Sequence, residues 1–508
     1  MENFLIQTMH KKILKILNTL VFIFIFLIPL RSSLYAYAQD SSSAINFTPS
    51  EKISCEVNGK DKNGEAGLMP SSAYAPINNS LTGFNKDDRV LVLAPHPDDE
   101  AIGAAGAIQQ ALKAGAKVKV VCYTNGDHNQ LAFIVYEKRL TIRKGEFLHM
   151  GEVRRKETIK AMASLGLSSD NIVFLGYPDF GTMSILTKYW GQMRPFKSLL
   201  TRMTSVPYKE CLSPGAPYSG ESILKDLKTV ILDFKPTKIF VSHPADTNRD
   251  HRSLYLFLRI ALWDLEDNIQ WPAVYPYIIH VVGWPKPRGY HPELELEPSG
   301  NFKDILWQKL ALSAEEIKAK HDAISVYKSQ IESNPPYLFT FARKNELFGD
   351  YLPVSLKKQE EGEIRWQDLD VGDDNAAEPM DREEYQKGRI SALAYAYQNG
   401  NLFIRLIPKR KIDKEFGMYI YLFGYSKKTD FAQMPKIYLA VDIGGLHIKD
   451  KKQTLFIKDV QMHYEGKAVV IKVPLTTLGN PAYILSCAKT RSGDLSLDDI
   501  AWRILELK

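Results

Sequence analysis

Cysteine is scarce in this sequence. The 508 residues hold four, Cys55, Cys122, Cys211 and Cys487, and no two of them form a Cys-x-x-Cys pair. This spacing argues against a structural zinc knuckle. Cys122 and Cys487 lie in apolar, strand-like runs and are expected to be buried thiols. A disulfide between Cys55 and Cys211 stays an open alternative in an oxidising compartment.

Blocks of like charge are also absent. The net charge is +6, and the basic residues are interspersed with acids. We therefore expect no nucleic-acid partner. With 45% hydrophobic and 24% charged residues, the composition is that of an ordinary globular protein. The length allows roughly three domains of about 150 residues each.

The most apolar run lies near the N-terminus. Three lysines precede "ILNTLVFIFIFLIPL", which is too short to span a membrane comfortably, and small residues follow at Ala36 and Ala38. This layout is typical of a secretory signal peptide, residues 1–38, cleaved after Ala38. An uncleaved membrane anchor is the alternative. We expect a secreted, extracellular or periplasmic protein, without a stable membrane span once the signal is cleaved.

Alternating strand and helix patterns occupy the middle of the chain. Residues 39–85 are polar and without period, which indicates a linker or irregular lead-in. From Arg89, short apolar runs alternate with amphipathic stretches. This alternation predicts an α/β fold over residues 86–349, a Rossmann-like, mostly parallel sheet with helices on both faces.

The pattern changes after Gly349. Short β-branched and aromatic runs follow one another with no long amphipathic helix between them. The dipeptide Asn399-Gly400, between two alternating apolar runs, indicates a β-hairpin. We predict a separate all-β sandwich over residues 351–508.

A histidine and three acids follow the first strand of the α/β region. In "VLVLAPHPDDEAIGAAGAI", His96 and Asp99 are three residues apart on a turn, so that both can face one point. Zinc accepts such nitrogen and oxygen ligands, and a catalytic zinc takes three of them plus a water. Helix capping by Asp98 or Asp99 is the structural alternative.

A second His/Asp cluster follows a later strand of the same predicted sheet. "VSHPADTNRDHRSLY" contains His243, Asp246, Asp250 and His251. His251 opens a helix, from which it can reach toward His96 as the third ligand. Asp98 then remains as general base for the attacking water, and the chemistry indicated is metal-assisted hydrolysis.

Together these motifs resemble the PIG-L/LmbE-like zinc-dependent de-N-acetylases over about residues 86–349. The motifs that carry the resemblance are "PHPDDE", "TNGD", "RRKE", "LGYPD", "HPADTNRDH", "YIIHVVGWPKPRGYHP", "KAKHDAISVYKSQ" and "NELF". The resemblance implies one Zn2+ per chain, or another divalent metal, on His96, Asp99 and His251, with Asp98 as base. It also implies substrate contacts from Arg154 and Asp179, for which a solvated helix charge and a turn cap are the alternatives.

One position departs from the family pattern. Many members carry "HPDH" where this chain has "NRDH", so Asn248 replaces the histidine that polarises the amide carbonyl. An oxyanion donor is typically worth 100- to 1,000-fold in rate, about 3 to 4 kcal/mol. Replacement donors are His280, which we favour, His243, or the zinc together with Asn248. His243 is also a candidate for substrate binding, and Asp250 is a further catalytic candidate.

Two other patterns have weaker implications. "GAAGAI" lacks the first glycine of a dinucleotide-binding turn, and the acids before it would repel a pyrophosphate, so nicotinamide binding is not expected.

The C-terminal region resembles β-sandwich modules, carbohydrate-binding or related, of secreted sugar enzymes. Its aromatic residues predict either a sugar-stacking face or a hydrophobic core: Trp366, Tyr395, Tyr397, Tyr419, Tyr421 and Trp502.

The sequence thus predicts a secreted zinc-dependent deacetylase, a hydrolase of linear amides that acts on an N-acetylated amino sugar or glycan. Two alternatives stay open. One is a non-catalytic sugar-binding or envelope protein with a degenerate deacetylase domain, which the substitution at Asn248 favours. The other is a metal amidohydrolase acting on a non-sugar amide. The oligomeric state is not predicted.

Overall fold

The computed structural model describes residues 79–508, apart from residues 82, 129–142, 301, 303, 333–334, 370–386 and 494. The predicted signal peptide, most of the predicted linker and Cys55 lie outside the described residues. Of the helices within the described part, none has the length and apolar character that crossing a bilayer requires. Cys122, Cys211 and Cys487 are buried and form no disulfide with one another, and a disulfide of Cys211 with Cys55 stays a prediction.

Eight strands of the α/β region form one mixed sheet, in the order β1-β7-β8-β6-β5-β2-β3-β4. The strands are β1 (Asn79–Ser80), β2 (Arg89–Ala94), β3 (Lys117–Thr124), β4 (Ile172–Tyr177), β5 (Lys238–Ser242), β6 (Ala273–Tyr277), β7 (Ile305–Ala311) and β8 (Asn345–Tyr351). The five adjacent strands from β6 to β4 are parallel, and β8 pairs antiparallel with β6 and β7. The inner strand β2 is apolar on both faces, as parallel strands covered by helices are.

Helices connect these strands. They are α1 (Asp99–Lys113), α2 (Lys144–Ser164), α3 (Thr182–Lys188), α4 (Gly220–Phe234), α5 (Arg249–Asp264), α6 (Ala314–Ile324), α7 (Lys328–Ile331) and α8 (Pro335–Phe339), with a 3-10 turn at Ser169–Asn171. Helices α1 and α2 pack on α6, whereas α3 and α4 pack on α5. The first group contacts the sheet through α1 on β2, β3 and β8, and the second through α5 on β5. The predicted α/β fold class is confirmed.

The "GAAGAI" segment lies within α1 and serves packing. A Cβ atom at Gly103 would lie 2.5 Å from the ring of Tyr277 on β6, so the close approach of α1 to the sheet requires glycine there. The helix is kinked at Ala104. Beyond the kink, the backbone amides of Gly106 and Ala107 donate to the buried Glu346 carboxylate at 2.8 and 3.0 Å.

The C-terminal region contains two β-sheets. Their strands are β9 (Val354–Leu356), β10 (Lys358–Gln359), β11 (Gln367–Leu369), β12 (Ile390–Gln398), β13 (Asn401–Pro408), β14 (Phe416–Tyr425), β15 (Lys436–Asp442), β16 (Gly445–Asp450), β17 (Gln453–Leu455), β18 (Gln461–Glu465), β19 (Ala468–Pro474), β20 (Tyr483–Ser492), β21 (Leu495–Asp499) and β22 (Arg503–Leu507), with a 3-10 turn at Leu475–Leu478. One sheet has the order β10-β12-β13-β19-β18, and the other β17-β16-β15-β14-β20-β22-β9. Buried side chains of both sheets form one hydrophobic cluster between them.

The predicted hairpin is confirmed. β12 and β13 are antiparallel, and Gln398 pairs with Asn401 across a two-residue loop. Asn399 and Gly400 have φ angles of 49° and 73°. Both angles lie in the left-handed region that a type I′ turn requires and that asparagine and glycine tolerate.

The aromatic side chains proposed for a sugar-stacking face do not share one surface. Tyr395 and Trp502 are buried, and the Tyr395 hydroxyl hydrogen-bonds to Ser486. Tyr421 packs on Trp502, and Arg405 covers the ring of Trp366 at 4.8 Å. For Tyr395 and Trp502 the alternative of a hydrophobic core is therefore correct.

The α/β and β regions share part of their core. The main hydrophobic cluster of the α/β region includes Phe423 of β14 and, from loops between the C-terminal strands, Phe431 and Trp502. Trp263, near the end of α5, stacks on Tyr483 of β20 with ring centroids 4.7 Å apart. The C-terminal sheets thus pack directly against the helix that begins at the second His/Asp cluster.

Candidate metal centre

Both His/Asp clusters lie at the carboxyl edge of the parallel sheet. Strands β2 and β5 are neighbours, with β3 and β4 on one side and β6 on the other. In open α/β sheets, ligands bind where the strand order reverses in this way. The loop after β2 carries His96 and Asp98 and leads to Asp99 at the start of α1, and the loop after β5 leads to His251, so the topology brings the two clusters together.

Three of the predicted residues face a common point. The Oδ2 atom of Asp99 lies 3.2 Å from Nδ1 of His96 and 3.1 Å from Nε2 of His251. All three side chains are buried. Both ring nitrogens of His251 are buried, and each lies within 3.2 Å of a carboxylate oxygen: Nε2 lies near Asp99 and Nδ1 near Asp246.

Further buried carboxylates lie close to the second ring nitrogen of His96 and of His251. Nε2 of His96 lies 3.2 Å from Asp179 and 3.4 Å from Asp250, and Nδ1 of His251 lies 3.2 Å from Asp246. A carboxylate on the second ring nitrogen of each histidine is the usual outer support of a metal ligand. Two nitrogens and one carboxylate oxygen form a set that suits zinc. The residues present therefore fit a divalent metal.

Asp98 lies beside this triad and is held by its neighbours. The Arg154 guanidinium donates to the Pro97 carbonyl at 2.6 Å and to Oδ2 of Asp98 at 3.3 Å. The Asp98 backbone has a φ of 122°, which a non-glycine residue rarely adopts. Its amide donates to Glu100 at 3.1 Å, and Glu100 in turn accepts from the Tyr327 hydroxyl. Asp98 caps no amide of α1 with its side chain.

The two adjacent aspartates have very different pKa values. Burial raises the pKa of Asp98 to about 8, against the opposing charge of Arg154. Burial also opposes ionisation of Asp99, but the His251 and His96 imidazoles lower its pKa well below the usual range. Asp99 is therefore a permanent anion suited to a cation, whereas Asp98 can gain and lose a proton near neutral pH.

His280 lies at the edge of the triad. Its ring is 4.5 Å from that of His251, and Nδ1 lies 3.1 Å from Oδ1 of Asp246. The side chain is 33% exposed, in contrast to the buried triad. Among the three candidates for polarising the carbonyl, His280 thus combines access to solvent with closeness to the triad.

The other two candidates have structural partners. Asn248 caps α5, with its side-chain oxygen accepting from the Asp250 amide at 2.9 Å. His243 is fully buried and packs against Phe302, Trp307 and Tyr351. These three rings lie against the His243 imidazole, and its role in substrate binding stays a prediction.

Three further candidates are buried and have protein partners. Arg154 is 3% exposed, and its guanidinium donates to Gly126, Pro97 and Asp98, so it holds the proposed base; its contact with substrate stays a prediction. Asp179 and Asp250 lie beside Nε2 of His96, and their roles as substrate contact and catalytic group stay predictions. Asp250 also accepts from the Phe180 and Thr182 amides.

The sequence-based prediction gives no role to Asp246 or Phe180. Asp246 contacts both His251 and His280, and its position in "HPAD" directly after β5 is the signal that could have indicated this. Phe180 follows Asp179 with a φ of 58°, and 63% of the residue is exposed. Its ring lies 5.1 Å from that of His128.

Comparison with known proteins gives one family match. The model of the family "PIG-L: GlcNAc-PI de-N-acetylase" matches residues 91–262, about a third of the chain. Residues 91–262 are thus similar to this family, and we call them the PIG-L-like region. This region contains His96, Asp99 and His251, and the match supports the expected enzyme class, a metal-dependent deacetylase. No relative was detected among curated proteins.

Several solved structures resemble about half of this chain. An N,N'-diacetylchitobiose deacetylase from Pyrococcus horikoshii is 20% identical over 52% of this chain and 84% of its own, with a TM-score of 0.33. The A40926 pseudoaglycone deacetylase is 17% identical over 52% and 96%, with a TM-score of 0.32. The 4-carboxy-2-hydroxymuconate hydratase of Pseudomonas putida KT2440 is 17% identical over 51% and 83%, at 0.31. These similarities are too weak to assign a function.

Proposed function

We propose that this protein is a secreted, zinc-dependent hydrolase that removes the acetyl group from the amine of an N-acetylated amino sugar. The observation that carries the proposal is the buried set of His96, Asp99 and His251, with the separately held Asp98 beside it. The sugar is proposed because the matching family is described by an N-acetylglucosamine substrate. Secretion is proposed from the N-terminal sequence pattern alone.

Asp98 acts as the general base. His96, Asp99 and His251 would hold a divalent ion, which would supply Lewis acidity to the water and the amide carbonyl. Arg154 contacts one carboxylate oxygen of Asp98, which leaves the other to take a proton from the attacking water. The water oxygen bonds to the carbonyl carbon, the carbon–nitrogen bond breaks, and Asp98 returns the proton to the leaving amine. The products are acetate and the free amino sugar.

His280 stabilises the charge that develops on the carbonyl oxygen. Because Nδ1 of His280 faces Asp246, Nε2 is the ring nitrogen left to donate to that oxygen. This assignment fills the role that Asn248 does not take, since its side-chain oxygen caps α5. Replacement of His280 by Ala should lower kcat about 100-fold and leave bound zinc unchanged.

Acetate release tests the proposal. N-Acetylglucosamine oligomers are incubated with the wild type, Asp98→Asn and His251→Ala, and bound zinc is measured for each protein. We expect Asp98→Asn to keep zinc and lose about 1,000-fold in rate, and His251→Ala to lose both. Asp87→Asn, an exposed acid before β2, is the matched control. Full activity of either site variant would contradict the proposal.

The same assay separates the alternatives. Zinc binding with no acetate release from a panel of acetylated glycans would favour the sugar-binding protein with a degenerate site. Acetate release from a non-sugar amide, such as an N-acylated thiol, together with none from glycans would favour the amidohydrolase.

A further inference from the structure

The residue next to His251 connects the metal centre to the C-terminal sheets. Arg252 is 3% exposed. Its Nη1 atom donates to the Asp499 carboxylate at 2.7 Å, and its two terminal nitrogens also donate to the Asp499 carbonyl at 3.2 and 3.3 Å. Asp499 ends β21, 247 residues further along the chain. A buried charge-assisted contact of this kind is directional and strong.

The same guanidinium holds the loop that carries Asp246. Nε of Arg252 donates to the Asp246 carbonyl. The Asp246 carboxylate accepts from the Ile279 and His280 amides at 3.0 and 2.9 Å, and it also lies against the rings of His251 and His280. Asp246 thus joins both histidines, and Arg252 joins Asp246 to Asp499.

We propose that Asp499 is a positioning residue for the metal centre. Through Arg252 it holds Asp246 in place, and Asp246 orients the imidazoles of His251 and His280. On this proposal the C-terminal sheets complete the catalytic region. The inference rests on the proposed function, because it takes His251 as a metal ligand.

Other contacts keep the two regions together when this link is removed. At the far end of α5, Trp263 stacks on Tyr483, and the Tyr425 hydroxyl donates to Asp264 at 3.0 Å. Lys427 pairs there with Glu266 at 2.7 Å, on the exposed surface. A change at Asp499 therefore tests positioning at the metal centre, and a change at Lys427 tests a contact of the same interface away from it.

Zinc affinity of the full chain is the measurement, by competition with a chromophoric chelator. We compare the wild type with Asp499→Asn, Asp499→Ala and the control Lys427→Ala, and we follow folding by circular dichroism. Outer supports of metal ligands typically contribute 10- to 100-fold in affinity. We expect about a ten-fold loss for Asp499→Ala, a smaller loss for Asp499→Asn, and no change for Lys427→Ala. If Asp499→Ala does not fold, Asp499→Glu replaces it, with an intermediate loss expected.

The outcomes are distinguishable. Equal zinc affinities for folded Asp499 variants and the wild type would overturn the positioning role. A similar loss in Lys427→Ala would also overturn it, because docking in general would then set the affinity. Failure of the wild type to bind zinc would overturn both this inference and the proposed function. Zinc binding with the expected losses but no acetate release from any glycan would overturn the proposed reaction alone.

Discussion

Phe180 holds a conformation that bulky residues rarely adopt. With φ at 58° it lies in the left-handed region, which costs a non-glycine residue roughly 1 to 2 kcal/mol. The amide of Phe180 donates to Asp250 at 2.6 Å, so the conformation is coupled to the carboxylate behind His96. Strain of this kind persists where the surrounding structure imposes it, and it occurs preferentially at functional sites.

Comparison of Phe180→Gly with Phe180→Ala tests the strain. Both variants remove the ring, but only glycine adopts positive φ without a steric penalty. Glycine is also more flexible in the unfolded chain, which offsets part of this advantage. We expect Phe180→Gly to be more stable than Phe180→Ala by about 0.5 to 1 kcal/mol. Urea unfolding measures the difference. Equal free energies of unfolding would show that the backbone is unstrained at this position.

His243 gives a second prediction at the scale of one residue. Burial, with a contribution from the Arg503 charge, lowers the pKa of His243 to about 3, while in the unfolded chain it is about 6.5. At a pH between these two pKa values, the unfolded state binds up to one proton more than the folded state. The free energy of unfolding should therefore fall as the pH drops below about 6.5, by up to about 1.4 kcal/mol per pH unit from this residue.

The matched variant is His243→Asn. Its side-chain oxygen can accept from the Ala245 amide, as Nδ1 of His243 does at 3.0 Å, but it does not titrate. Urea unfolding of both proteins between pH 4 and pH 6 gives the two slopes. The slope should be smaller for His243→Asn, whatever its stability at neutral pH. Identical slopes would mean that the imidazole is not excluded from protonation in the folded state.

At the scale of elements, α1 depends on an acid from another strand. The kink at Ala104 frees backbone amides in the middle of the helix, and Glu346 of β8 accepts two of them. The charge of Glu346 is balanced by Lys320 of α6 at 2.6 Å, and both side chains are 1% exposed. Through this buried pair, β8 contacts both α1 and α6.

Replacement of Lys320 by Met should be strongly destabilising. It leaves the Glu346 charge buried without its partner, which costs about 3 to 5 kcal/mol. The double variant Lys320→Met with Glu346→Gln should recover part of the loss, since no unpaired charge remains. Lys318→Met on the same helix breaks an exposed pair with Asp322 and should change the free energy of unfolding by at most about 0.5 kcal/mol. Similar losses for Lys318→Met and Lys320→Met would contradict the role of burial.

At the scale of the whole molecule, the shared core predicts cooperative unfolding. Side chains of the C-terminal sheets lie in the same hydrophobic cluster as the α/β core. Exposure of one region would therefore remove apolar contacts from the other. We expect one calorimetric transition for the part of the chain from residue 79 to residue 508. Two well-separated transitions would show that the regions are independent.

Zinc removal should lower that transition temperature. A ligand that binds only the folded state stabilises it by about 2.7 kcal/mol at a free concentration 100 times its dissociation constant. Calorimetry with added zinc and with a chelator measures the shift. His251→Ala should unfold at the same temperature under both conditions, because a proposed ligand is missing. A shift of equal size in that variant would place the bound zinc elsewhere.

The sequence by itself was sufficient for the α/β fold class, the Asn399-Gly400 hairpin and the grouping of His96, Asp99 and His251. Each depends on local pattern: strands that end in His/Asp motifs converge at one sheet edge, and a turn needs residues that tolerate positive φ. The assignment of these three residues as zinc ligands stays a prediction.

Tertiary structure decided which polar residues are exposed and what they contact. Arg154 turns out to hold Asp98, Asp179 and Asp250 lie behind His96, and His243 is enclosed by aromatic rings. The contact of Arg252 with Asp499 likewise joins segments 247 residues apart. No local pattern encodes such partners, because the burial and the charge around a side chain come from whichever distant segments fold against it.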